Sequence, residues 1–371
     1  ITLSWPAGIG LGATSYKVYR GSSASNGAAI ASVPKTDSYY NYDTGAYAYT
    51  YTDTGLSPNT TYYYRIAAVY DSNESDQSEY ATATTSNWVA LDSPFGFEFS
   101  ISAIAYGDGK FVAGDDNFYG KIAYSSDGIN WTAAVNSPLL YIQTITYSDG
   151  KFVAGYHGGV AYSSDGINWT AATDIQVYIQ AIAYGGGKFV AGGYNGQIAY
   201  SGDGISWTLA DTPFGSSSRI NAIAYGDGKF VAGGDGQMAY SSDGINWTAV
   251  ADTSFGSSRI NAIAYGGGKF VAGGDGQIAY SSDGISWTLA DTPFGSSFSI
   301  SAIAYGDGKF VARDSSGQMA YSSDGISWSA AVETPLSSIY AIAHGKGKFV
   351  AFGDGNFVAG SYEKKMAYWE D

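Results

Sequence analysis

Apolar and polar residues alternate along this chain in short runs bounded by Gly, Asp, Asn and Ser, the pattern of strands joined by tight turns. Ile1-Thr2-Leu3-Ser4-Trp5 is one such run, followed by Ser15–Arg20, Tyr62–Val69 and Tyr80–Thr85. These early runs do not repeat. From residue 87 onward a single pattern recurs with a period of about 40 residues. It reads Ile-x-Ala-Ile-Ala-Tyr, a Gly-rich turn, Lys-Phe-Val-Ala, a second Gly-rich turn, Gln-Ile-Ala-Tyr, the turn Ser-Ser-Asp-Gly and a closing Trp-Thr strand. Segments 219–258 and 259–297 are nearly identical copies.

Four strands in each unit of about 40 residues is the signature of a β-propeller blade. First strands begin at Ile101, Ile142, Ile179, Ile220, Ile260, Ile300 and Ile339, which predicts seven blades over 87–371. The last unit ends without its Trp-Thr strand, and an unmatched copy of that strand stands at Trp88-Val89-Ala90-Leu91. Residues 88–91 are therefore expected to pair with 365–368, so that the N-terminal strand closes the ring and removes its open seam.

Two resemblances add to this reading. ITLSWPA, SYKVYRGS and YTDTGLSPNTTYYYRIAAV resemble strands of a fibronectin type III module, which implies a β-sandwich over 1–86 with Trp5 in its core. The same resemblance makes Tyr62 the corner tyrosine, its hydroxyl bonded to upstream backbone. Such modules begin with a strand before ITLSW, so the sandwich is expected to lack its first strand and the natural chain to extend upstream. The second motif, Ser-x-Asp-Gly-x-x-Trp, resembles the Asp-box of sialidase-like propellers, although here Gly directly follows Asp. It places Asp127, Asp165, Asp203, Asp243, Asp283 and Asp324 in equivalent turns. Ser and Asp side chains there suit backbone N–H groups, and Gly suits a positive φ. Six equivalent copies point to a shared structural duty, so no catalytic residue is assigned.

Composition narrows the function. Of 371 residues, 51 are Gly and 16% are aromatic, with 33 Tyr, as an all-β chain requires. The net charge of −15 repels phosphate backbones and argues against nucleic acid as a partner. No apolar run is long enough for a membrane helix, so membrane insertion is not expected. The absence of Cys removes thiolate chemistry and Cys-based metal sites, and two His residues supply neither a relay nor a His cluster. Asp-rich turns offer hard oxygens, but no D-x-D-x-D-G loop occurs, so a structural calcium has no support and no cofactor is expected.

The least uniform parts of the repeat are the turns between second and third strands and the residues preceding each first strand. Both belong to one face of a propeller. They carry Asp115-Asp116-Asn117-Phe118-Tyr119, Tyr156-His157 and Tyr194-Asn195, and the positions before the first strands read Ser100, Tyr141, Tyr178, Arg219, Arg259, Ser299 and Ser338. Tyr119, Tyr156, His157, Tyr194, Arg219, Arg259 and Arg313 are the candidate ligand contacts, a mixture suited to stacking on sugars and bonding their hydroxyls. The same residues equally suit ordinary loops. Seven Lys residues, from Lys110 to Lys348, follow the first hairpin of each unit, as solvated turn charges or as a ring for an anionic polymer.

The expectation is an extracellular or cell-surface, non-enzymatic binding or adhesion protein whose partners are glycans or a surface protein. A self-associating subunit of a surface layer or appendage is the alternative, and a sialidase-like glycoside hydrolase the second alternative.

Overall fold

A computed structural model describes residues 2–6, 12–25, 27–41, 46–53, 56, 60–71, 73–84, 88–91, 101–134, 139–172, 174–294, 298–330, 341–345, 348–353 and 356–360. The chain forms two compact units, Ile1–Asn87 and Trp88–Asp371.

In the first unit, Thr2–Pro6 pairs with Ala46–Thr52, which also pairs with Tyr39–Asn41. A second sheet runs Ala28–Pro34, Ser15–Gly21, Thr61–Tyr70, Asn73–Glu74, with Ala81–Thr84 also on Thr61–Tyr70. The alternation in the sequence turns Trp5 and Tyr49 of one sheet onto Tyr16, Val18 and Tyr64 of the other. Trp5 and Tyr49 stack at 5.9 Å, and Tyr16 lies 4.7 Å from Tyr49 between ring centroids. Asp53 is buried beside this core and is satisfied by Arg20 at 3.0 and 3.1 Å and by the Tyr64 hydroxyl at 2.8 Å. Burial, reinforced by that bond to Asp53, raises the Tyr64 phenol above its ordinary range. Tyr62 is half-buried, its ring 5.5 Å beneath the Arg20 guanidinium.

The second unit contains, among the described residues, seven four-stranded antiparallel sheets. Their first strands are Ile101–Gly107, Ile142–Ser148, Ile179–Gly185, Ile220–Gly226, Ile260–Gly266, Ile300–Gly306 and Ala341–Gly345. Each packs on the next, and the last packs on the first, so the sheets form a closed cycle. An isoleucine from every first strand, Ile104, Ile145, Ile182, Ile223, Ile263, Ile303 and Ile342, lines a central channel of about 180 Å³. Second strands are nearly all buried, with Phe111, Phe152, Phe189, Phe230, Phe270, Phe310 and Phe349 at most 1% exposed. Each such ring contributes roughly 1.5–3 kcal/mol by leaving water.

Neighbouring sheets fit because glycine leaves room for an aromatic ring. A Cβ on Gly226 would stand 2.0 Å from Cγ of Tyr265, and the same contact recurs at Gly107–Tyr147, Gly185–Tyr225, Gly266–Tyr305, Gly306–His344 and Gly345–Tyr106. The last of these closes the cycle. At the remaining seam Ser148 stands in the glycine's place.

Closure uses the N-terminal strand, on a different partner from the one expected. Trp88–Leu91 pairs antiparallel with Asn356–Gly360, matching Trp88 to Gly360 and Leu91 to Phe357. The expected partner, 365–368, lies outside the described residues. The reason is local: strand Lys348–Gly353 pairs antiparallel with Asn356–Gly360, Gly353 standing opposite Asn356. The sequence between these strands is Asp-Gly, a preferred hairpin signal, and Phe357-Val358-Ala359 take the third-strand place before the Lys-Met-Ala-Tyr copy is reached.

Candidate functional site

The six Asp turns are alike to within a few tenths of an ångström. In each, Ser Oγ donates to the Asp carboxylate at 2.9–3.0 Å and accepts the Gly N–H at 2.8–2.9 Å. The carboxylate accepts two further backbone N–H groups, as Asp243 does from Ile245 and Asn246, both at 2.8 Å. These backbone donors hold Asp127, Asp165, Asp203, Asp243 and Asp324 below the usual carboxylate range. Asp283, where burial opposes the same donors, is lowered as well. The turn glycine rests on a valine of the preceding sheet, Gly244 on Val190 for example. Lys110 spans the same seam, donating to the Asp165 carbonyl at 3.0 Å.

The opposite ends of the strands carry the variable residues. Here, in the third to sixth sheets, the residue before the first strand is clipped by its backbone to the turn between second and third strands. Tyr194 N–H donates to the Tyr178 carbonyl, Asp235 to Arg219, Asp275 to Arg259 and Ser315 to Ser299, at 2.7–3.3 Å. The clip sets two side chains per sheet beside each other, and it varies around the ring: Tyr–Tyr in the third sheet, Arg–Asp in the fourth and fifth, Ser–Ser in the sixth.

The aromatic positions join into one row that crosses the seams. Phe118 lies 6.1 Å from Tyr119 and 6.2 Å from Tyr141, both edge-on. Tyr141 meets His157 at 5.1 Å, and His157 stacks on Tyr178 at 3.8 Å. Tyr178 meets Tyr194 edge-on at 5.7 Å, and the Arg219 guanidinium sits 4.6 Å over the Tyr194 ring. Phe118, Tyr119 and Tyr178 are 59%, 69% and 45% exposed, unusual for rings of this size. Tyr141 holds a left-handed φ of 54°, a costly conformation for a bulky residue, and its N–H bonds to the Asn117 carbonyl at 2.9 Å. That strained link ties the first turn to the rest of the row.

Of the seven candidate contacts, Tyr119, His157, Tyr194 and Arg219 belong to this row. Arg259 is exposed on the next sheet, 3.9 Å from Asp235. Tyr156 points away from the row: it is half-buried in the core between the first two sheets, and burial raises its phenol. Arg313 is a correction. It is 1% exposed, inside strand Lys309–Asp314, where five other sheets carry a glycine pressed on the next sheet. A guanidinium there is structural and does not reach the loop face.

Phe118, Tyr141 and Tyr178 complete the row; their aromatic character at variable positions is the signal the sequence offers. The channel mouth also carries a polar belt at the second position of the first strands. Ser102 donates to the Ile142 carbonyl, Asn221 to Ile260 at 3.2 Å and Asn261 to Ile300 at 3.1 Å, each bond crossing a seam. No group of three or more His, Asp or Glu side chains converges to hold a metal among the described residues. Among those residues no helix is long and apolar enough to cross a membrane.

Solved β-propellers share this fold. The extracellular domain of BT4673 from B. thetaiotaomicron superposes with a TM-score of 0.60 at 12% identity, over 75% of this chain and 40% of that one. The chain thus spans less than half the length of that domain. YCF48 bound to D1 peptide matches with a TM-score of 0.58 at 14% identity, over 75% of this chain and 97% of that one. The WD40 β-propeller domain of Doa1 matches at 0.58 and 12% identity, over 75% and 98%. No protein-family model and no curated protein matches the sequence. The second unit is a β-propeller, and at these identities the likeness extends to the fold alone.

Proposed function

We propose that this is a non-enzymatic recognition protein of the cell exterior: a fibronectin type III-like module followed by a seven-bladed propeller with Asp-box-like turns, whose variable face binds a glycan or a surface partner. The observation that carries the reading is the continuous row from Tyr119 to Arg219. It concentrates exposed rings on the face where the repeat departs from its own consensus, while the remainder of each repeat is spent on packing. Large flat side chains exposed together are a feature of binding surfaces and not of solvated loops. The Asp turns support the same reading, because their carboxylates are occupied as acceptors for backbone N–H groups and are held ionised. YCF48, of the same fold, is known in a peptide-bound form.

The experiment is a screen of the full chain against arrayed glycans and surface extracts, run beside analytical ultracentrifugation. Saturable, selective binding by a monomer is the expected result. Ordered self-assembly without ligand would instead favour a subunit of a surface layer, and release of reducing sugar would favour a hydrolase.

A further inference from the structure

We infer that the ligand of the aromatic row is a neutral, extended polysaccharide chain, laid across the first four sheets from Phe118 to Arg219. This rests on the reading of that face as a recognition surface and goes further, to the chemistry of what is recognised. The first argument is shape. The contacts from Phe118 through Tyr141, His157, Tyr178 and Tyr194 to Arg219 run in unbroken succession, each 3.8–6.2 Å from the next. A row is matched to a linear ligand touched by several rings in turn, where a single sugar would use one or two of them.

The second argument is the pairing of surfaces. A pyranose presents C–H groups on its faces and hydroxyls at its rim, so it asks for flat rings with polar groups beside them. The row supplies both. Asp116 and Asn195 are exposed next to the rings, Asn195 held at a φ of 59° in the turn after Tyr194. Arg219 ends the row with hydrogen-bond donors while its guanidinium lies over the Tyr194 ring.

The third argument is charge. The protein carries −15 overall, and a carboxylate stands beside the arginines of this face: Arg259 pairs with Asp235 at 3.9 Å, and that carboxylate accepts the backbone N–H of Arg219 at 3.1 Å. With Asp116 at the other end, the face offers a polyanion no net attraction. An uncharged chain carries no such penalty.

Isothermal titration of the full chain with cello-, manno- and malto-oligosaccharides, from disaccharide to hexasaccharide, tests this, with polygalacturonate as the acidic comparison. One neutral series is expected to gain affinity with every added unit until the row is filled. Phe118→Ala, at the end of the row, is expected to weaken the hexasaccharide about three- to tenfold and leave the disaccharide unchanged, whereas Tyr178→Ala weakens both. Thermal unfolding of both variants should match the parent, since both rings are exposed. Affinity independent of chain length, tighter binding of polygalacturonate, or indifference to both substitutions would overturn the inference. If the neutral series fails while an acidic glycan or a protein binds selectively at this face, the ligand class is wrong and the recognition role stands. If nothing binds in either experiment, both fail.

Discussion

Asp115 and Asp314 end the second strand in their respective sheets, and their surroundings separate them. Asp314 accepts from Ser316 N–H, Gln318 N–H and Ser316 Oγ, so both of its oxygens are engaged. Asp115 accepts the Lys121 N–H at 2.6 Å with one oxygen, while the other is buried without a partner. Burial pushes the Asp115 carboxyl up to about 6, against the opposing pull of Lys121. A raised carboxyl favours the protonated folded form. Its contribution is therefore complete below the ordinary carboxylate range and is lost as the pH climbs through about 6. The loss is on the order of 3 kcal/mol. Urea unfolding of Asp115→Asn across pH 4 to 8 should lose this downward slope relative to the parent; parallel curves for the two proteins would refute the assignment. The six Asp turns act with the opposite sign, their stabilisation present at neutral pH and lost on acidification. At this scale the sequence was legible wherever a residue type repeats. Asp127 and its five counterparts could be placed in turns from spacing alone. Arg313 could not, because a charged residue in an otherwise apolar strand reads as the start of a loop.

Elements are held to one another by contacts that the 40-residue period encodes only indirectly. Glycine at the end of one first strand and Tyr near the end of the next look like independent consensus positions, yet they form a single interlock across the seam. Gly226→Ala places a methyl group 2.0 Å from the Tyr265 ring, backed by Phe270 at 4.7 Å between centroids, so the ring has little room to move. The expected cost is about 1–3 kcal/mol, read as a lower midpoint in urea. Gly228→Ala provides the comparison, since its Cβ would meet nothing within 4 Å and its strain comes only from a φ of 73°. The candidate row was half legible at this scale. Variable turns located the face, and Tyr119, His157, Tyr194 and Arg219 were identifiable as its residues. Its continuity was not, because Phe118, Tyr141 and Tyr178 come from different repeats and meet only where the sheets are set side by side. The left-handed Tyr141 that links the first turn to the others has no signature in the sequence.

The molecule as a whole depends on its first propeller strand joining its last sheet. Motif similarity assigns that strand to the Lys-Met-Ala-Tyr copy; in the structure it pairs with Asn356–Gly360, the strand that follows Lys348–Gly353 directly. The register sets Val89 opposite Ala359. The sequence has no Cys, so Val89→Cys with Ala359→Cys should form one intrachain disulfide under mild oxidation, seen by mass spectrometry; free thiols in that variant would contradict the register. Ring closure and the aromatic row are linked, because a closed cycle of sheets fixes the spacing of side chains that belong to different sheets. Recognition through that row is the central claim. The most direct test is equilibrium binding of the full chain and its His157→Ala/Tyr178→Ala variant to the same glycan and surface-protein array. The account predicts selective binding by the parent and a loss of at least about tenfold in the variant, whose midpoint of unfolding is unchanged. Equal binding by the two proteins would contradict it.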